Sequence, residues 1–353
     1  MRSSFVLTLL LVVGLPGFCQ PPAGDLPSLP KDPREIFAVA APFYDFKSPD
    51  LKPWHLKATY QLYDEKGKPA EQGIFEYWWV SPKVYRTSWT RPGASRTDWY
   101  APDDRQEYLT SGDPISLFEY KIESALFSVL PGAGEIDPAK YRLDRQTIRG
   151  GGVKFPCIEV IPNMPQHGRI QDVPIGWFPT YCFDPKIPIL RVSFSLGRMT
   201  TEFDTIVKVQ NRFLPRQLVV SEGKNKVLTV NVNEINGIPP DDPALVPASD
   251  AHEANRGKVE IEGKVMVGKL INKQAPDYPQ DAKEAHVEGI VVLDATIGMD
   301  GQIHDLNVES APWPSLAASA LWAVAHWKYQ PYLLNGKPVE VKTTIKVIYA
   351  LGR

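Results

Sequence analysis

Strict alternation of apolar and polar positions governs most of this chain. Leu56, Ala58, Tyr60 and Leu62 share one face of a strand, Asp64-Glu-Lys-Gly67 turns, and 73–80 returns rich in aromatics. Further alternating runs at 84–89, 97–101 and 107–110 continue at the short spacing of an antiparallel meander. After a helical stretch at 115–130, strands are predicted at 146–148 and 157–161, around Gly150-Gly-Gly152, and at 190–196, 201–210, 213–222 and 226–235. A short helix over 34–41 is stopped by Pro42. A sheet this long, with one helix, must curl around that helix or close on itself.

The periodicity changes near the carboxyl end. Ala275-Pro-Asp-Tyr-Pro279 precedes a short helix at 281–285, and Val291, Leu293, Ala295 and Ile297 alternate along a strand. Met299-Asp-Gly301 is a tight turn, since Asp-Gly supplies the positive φ of a hairpin. A strand at 303–310 follows. Pro312 and Pro314 open a helix in which Leu316, Ala320, Val324 and Trp327 recur at helical spacing. Asn335-Gly336 turns into a last strand, where Val341, Thr343, Ile345 and Val347 alternate with Lys342, Thr344 and Lys346. The fold class expected is α+β: a mostly antiparallel β domain over 34–236, a proline- and aspartate-rich linker over 237–257, and a small domain over 258–353. Fully extended, the linker reaches roughly 65 Å, so the sequence leaves the two domains free to sit apart or to dock.

Tyr278-Pro279, Gly289 before an alternating strand, Asp300-Gly301, the run 308–310, the helix 317–325, Trp327-Lys-Tyr-Gln-Pro331 and Gly336-Lys-Pro-Val339 occur in an order and spacing that resembles the TonB C-terminal domain family. The resemblance covers under a quarter of the chain. It implies a three-stranded antiparallel sheet backed by two helices, and a partner such as an outer-membrane receptor bound by adding a strand to a sheet edge. Tyr278, Pro279, Val341, Thr343, Ile345 and Val347 are the partner-binding candidates on this reading, with Lys342 and Lys346 as alternatives that guard the edge. A homodimer through the same edge is a further implication. A weaker likeness, to the LolA-like curved half-barrels, rests on Trp54, the segment 73–79 and Pro82-Lys-Val-Tyr85-Arg86. It implies a concave face able to hold an acyl chain or hydrophobic peptide. A filled core explains Tyr77, Trp78, Trp79, Trp89, Trp99 and Tyr100 equally well, and is favoured because aromatic stripes are more often packing.

Arg2, the apolar run 5–13 and then Gly14, Pro16 and Gly17 follow the grammar of a secretory signal over residues 1–19, with a loose segment over 20–33. The apolar run is about 14 residues at most, against roughly 20 for a bilayer span. Cleavage and a periplasmic location are expected, with an uncleaved inner-membrane anchor, and hence TonB-type energy transduction, as the rival. Export makes a disulfide between Cys157 and Cys182 the expectation over two buried thiols.

Charge is nearly balanced at −2, which leaves no electrostatic footprint for nucleic acid. No catalytic, cofactor or metal site is expected. The six histidines have no metal-ligand spacing, and His304, just past the hairpin turn, reads as a solvated imidazole. Gly150-Gly-Gly152 lacks the lysine and helix start of a phosphate loop. Trp327 continues an apolar helix face and is assigned to the core.

Overall fold

The computed structural model describes residues 26–103, 106–132, 135–163, 175–253 and 259–351. The expected signal segment, 1–19, and the start of the expected loose one, 20–25, lie outside the described residues. The fold is mostly antiparallel β with few helices. Helix α1 (Pro33–Ala40) opens it, with Asp32 accepting the Arg34 N–H at 2.8 Å and Pro33 in the first turn, where a missing N–H costs nothing.

Thirteen described strands build one large sheet, twelve of them in this part of the chain. β1 (Trp54–Tyr63), β2 (Pro69–Ser81), β3 (Val84–Arg91), β4 (Ala94–Asp103) and β5 (Gln106–Gly112) run outward from the centre to one edge. Helix α2 (Leu117–Phe127) carries the chain across to the opposite edge. β6 (Tyr141–Gly150), β7 (Val153–Pro162), β8 (Thr180–Phe183), β9 (Leu190–Ser195), β10 (Met199–Val209), β11 (Arg212–Glu222) and β12 (Asn225–Gly237) return to the centre, where β12 pairs with β1.

The concave face of this sheet is filled. Trp54 stacks on Tyr77 and Trp79 with ring centroids 5.3 and 6.2 Å apart, and Phe127 of α2 packs on Trp54 and Tyr77. A polar anchor fixes α2 there. Glu119 accepts the Ser116 N–H in a capping box, and its other oxygen accepts from Tyr60 Oη at 2.8 Å and from Arg91 Nε at 3.0 Å. Gly73 makes this reach possible, because a Cβ there would sit 2.2 Å from the Tyr60 ring. Trp78 and Trp99 lie on the opposite face, with the Arg86 guanidinium 4.2 and 5.6 Å from their rings. Of the aromatics named from sequence, Tyr77, Trp78, Trp79, Trp89 and Trp99 are buried.

The linker is docked along its described residues. Arg86 donates to the Ala244 carbonyl at 3.0 Å, and β13 (His252–Glu253) pairs with β5 at the sheet edge. The carboxyl-terminal module follows: β14 (Val259–Glu260), α3 (Gly263–Val267), β15 (Leu270–Asn272), α4 (Gln280–Glu284), β16 (Gly289–Ile297), β17 (Ile303–Ser310), α5 (Pro314–Ala325), β18 (Lys328–Tyr329), β19 (Tyr332–Leu334), β20 (Lys337–Val339) and β21 (Val341–Tyr349). Its main sheet has the order β14-β21-β16-β17, antiparallel except for the short parallel pair β14–β21. β15 pairs with β18, and β19 with β20 across the Asn335-Gly336 turn, where both residues have positive φ.

The module docks on the large domain through β17 and the hairpin before it. Asp300 Oδ2 accepts the Leu117 N–H at the start of α2, and His326 of the module lies 2.6 Å from Glu222 of β11. The buried apolar side chains of both parts form one continuous cluster.

A candidate partner-binding edge

The strand β21 alternates cleanly. Val341, Thr343, Ile345, Val347 and Tyr349 are buried, while Lys342, Lys346 and Ile348 are exposed and Thr344 is half-buried. The four β21 positions named from sequence therefore send their side chains into the core, toward α5.

Which residues face the edge follows from the hydrogen bonds. Glu340 O accepts the Val259 N–H at 3.1 Å and Lys342 O accepts the Ile261 N–H at 3.0 Å, so even-numbered residues direct their backbone groups toward β14. The β16–β21 register runs without a bulge from Val341 to Tyr349. The backbone N–H and C=O of one residue point the same way in a strand and alternate with each step. Thr344, Lys346 and Ile348 therefore face the outer edge, and the odd-numbered residues face β16.

Part of that edge is already covered. β14 occupies it as far as Lys342, and Thr343 Oγ1 donates to the Ile261 carbonyl at 2.7 Å. Gly263 then presses on the next position, where a Cβ would lie 2.2 Å from the Thr344 carbonyl oxygen. Beyond it, no described strand pairs with Lys346 or Ile348 on this side. Ile348 is 72 % exposed and sits opposite Ile290, itself 47 % exposed, so an apolar pair flanks the open rim.

Tyr278 and Pro279 serve a local purpose. Pro279 stands just before α4, and Tyr278 Oη donates to the Val287 carbonyl at 2.6 Å with its ring edge-on to Tyr349 at 5.4 Å. Together they brace the last residue of β21. Sequence reasoning named Lys346 as an edge guard and missed Ile348 as a rim residue. The parity of the β14 contacts decides it, and β14 is too short to leave a periodic signal.

One reading is corrected. His304 is 4 % exposed, not solvated: its Nε2 is 3.0 Å from Asp300 Oδ1, and its ring stacks on Tyr120 of α2 at 4.9 Å. The hairpin folds against α2, and Gly298 leaves room for the imidazole, since a Cβ there would lie 2.3 Å from the ring. Burial of Asp300 opposes ionisation, yet the His304 contact and the Gln302 and Leu117 N–H groups hold its carboxyl below the usual range. Trp327 is buried, as expected. Cys157 and Cys182 are directly opposed on β7 and β8 and form a disulfide. Among the described residues no cluster of histidine, cysteine or carboxylate side chains is arranged to hold a metal, and no helix is long and apolar enough to cross a membrane.

Residues 274–351 match the family model of the Gram-negative bacterial TonB protein C-terminal. The TonB protein of Vibrio cholerae is 32 % identical over 84 residues, covering 23 % of this chain and 34 % of its own length. This chain thus spans about a third of that relative. The solution structure of the Pseudomonas aeruginosa TonB C-terminal domain is 30 % identical, covering 24 % of this chain and 87 % of that one, with a TM-score of 0.22. A crystal structure of a LolA superfamily protein from Nitrosomonas europaea covers 59 % of this chain and 95 % of its own, at 6 % identity and a TM-score of 0.36.

Proposed function

We propose that this is an exported, non-enzymatic envelope protein whose TonB-type module takes up an extended segment of another envelope protein, an outer-membrane receptor foremost, as an added strand on β21. The observation that carries this reading is the open rim at Lys346 and Ile348, beside which no described strand pairs. Main-chain bonds along such a rim supply affinity, and the side chains beside it supply selectivity. The Ile290–Ile348 pair would receive apolar residues of the incoming strand, and Lys346 an acidic one. The large domain meets the start of β21 at Lys342, and Lys346 and Ile348 lie outside the cleft at that seam.

Lys346→Pro tests it in the full-length chain. Proline is tolerated at an edge position whose N–H faces solvent, so the fold is kept and one rim donor is lost. Titration with extended peptides from outer-membrane receptors should show at least tenfold weaker binding by Lys346→Pro than by Lys346→Ala. Equal binding by the two variants, or no binding by the unaltered protein to any such peptide, removes the proposal.

A further inference from the structure

The seam between module and large domain encloses a cleft of about 520 Å3, within the usual size of small-molecule sites. Its two walls differ in character. Tyr141, Val160, Phe178 and Tyr181 of the large domain supply an apolar, aromatic wall. The opposite wall is the outer face of the module's sheet, where Asp294 sits across from Asn307, and Thr296 lies between Asp305 and Lys342 on neighbouring strands.

Carboxylates outnumber cations here: Asp294, Asp305 and Glu135 line the cleft with Lys342, and Lys121 of α2 lies close enough to Asp305 to interact with it. Asp305 Oδ1 accepts the Leu306 N–H and Oδ2 the Asn307 amide, and Lys342 stands one strand away. Asp294 has no hydrogen-bond or ion-pair partner among the described residues. Glu135 adds a third carboxylate at the rim, held by the Gly132 N–H at 2.9 Å. The aromatic wall responds to this excess. Burial, with Asp294 and Asp305 adding to it, raises the Tyr141 phenol above its ordinary range. Burial, with Glu135 and Asp305, pushes Tyr181 up to about 12.

We propose that this cleft binds a cationic amphiphile: an ammonium or guanidinium head group held by Asp294 beside the Tyr141 ring, with an apolar body along Val160 and Phe178. A carboxylate head group would meet three carboxylates against the one lining cation, Lys342, and close like-charge contacts disfavour binding. A wholly apolar ligand would bury Asp294 without a partner, which costs more than its own contacts return. A bare polycation would leave the aromatic wall uncovered. The inference is independent of the strand edge, because Lys346 and Ile348 do not line the cleft.

Isothermal titration of the full chain with n-octylammonium, n-octanoate and spermidine tests it. The expected result is saturable one-to-one binding of octylammonium, at least tenfold tighter than octanoate or spermidine. Asp294→Asn should abolish the preference for octylammonium over octanoate, and Val160→Trp should block both by filling the cleft. Should Val160→Trp fail to fold, magnetisation transfer from the octyl chain to the Tyr141 and Phe178 rings reads the same location. Octanoate binding as tightly as octylammonium, an undiminished preference in Asp294→Asn, absence of saturable binding, or transfer to rings elsewhere would overturn the proposal.

Discussion

Asp300 Oδ2 accepts the Leu117 backbone N–H at 2.9 Å, so a hairpin turn of the TonB-type module caps a helix of the other domain. The contact is chemically apt: a carboxylate satisfies an orphan N–H at a helix amino terminus and meets the positive end of the helix dipole. Its second oxygen takes the Gln302 N–H and the His304 ring, each at 3.0 Å. One side chain therefore links the turn, a buried histidine and α2.

Replacing it should loosen the docking. Asp300→Ala is expected to cost about 1–2 kcal/mol, the usual loss of a helix cap, and to speed proteolysis within the described linker, 237–253. Asp300→Asn, which still accepts the cap bond, should lose less. Urea denaturation of the three proteins checks the order. Equal stability of the alanine variant and the parent would show that the turn contributes nothing to docking.

Acid should weaken the same seam through a second pair. Burial raises the Glu222 carboxyl, but the hydrogen bond with His326 and the Arg198 guanidinium outweigh it and bring it down to about 2 from 4.5. A depressed carboxylate contributes stability that is complete above its unfolded value and disappears as the pH drops through the folded one. Unfolding free energy should thus fall between about pH 4.5 and 2. In Glu222→Gln that part of the profile should be flatter, as read by thermal melts across the range.

The covered half of the rim offers a test with opposite sign. Ile261→Pro removes the N–H that Lys342 O accepts, which should cost about 1 kcal/mol of stability. It should also extend the open edge back toward Lys342 and strengthen peptide capture several-fold in the titration used for Lys346→Pro. Weaker capture would mean that β14 supports the rim and does not compete for it.

Reduction of the Cys157–Cys182 disulfide should destabilise the large domain. The bridge spans a sequence separation of 25, for which the loop-entropy model gives about 3 kcal/mol. Comparing denaturation midpoints with and without reductant, and in a Cys157→Ala/Cys182→Ala variant, measures it.

Much of the architecture was legible in the sequence because its elements are long and strictly alternating. β1, β2, β11, β12, β16 and β21 announce themselves by period, and Asp300-Gly301 and Asn335-Gly336 by turn chemistry. The disulfide followed from compartment. Short elements escaped: β8, β14, β15 and α3 span too few residues for any period to register. Relations between distant parts escaped as well. Nothing near His304 in sequence says that Tyr120 will cover it, and nothing in an extended linker says that Arg86 will hold Ala244. The alternation of β21 was plain, but it points to the buried face. The edge-facing residues are the other set, and only the pairing with β14 assigns them.

Hydrogen–deuterium exchange of the full-length chain, resolved at single amides and read with and without a saturating receptor-derived peptide, bears most directly on the strand-addition account. Protection should rise at the amides of Lys346 and Ile348 while Val341 and Thr343, already bonded toward β16, change little. A bound peptide that leaves Lys346 and Ile348 exchanging at their free rate would contradict it.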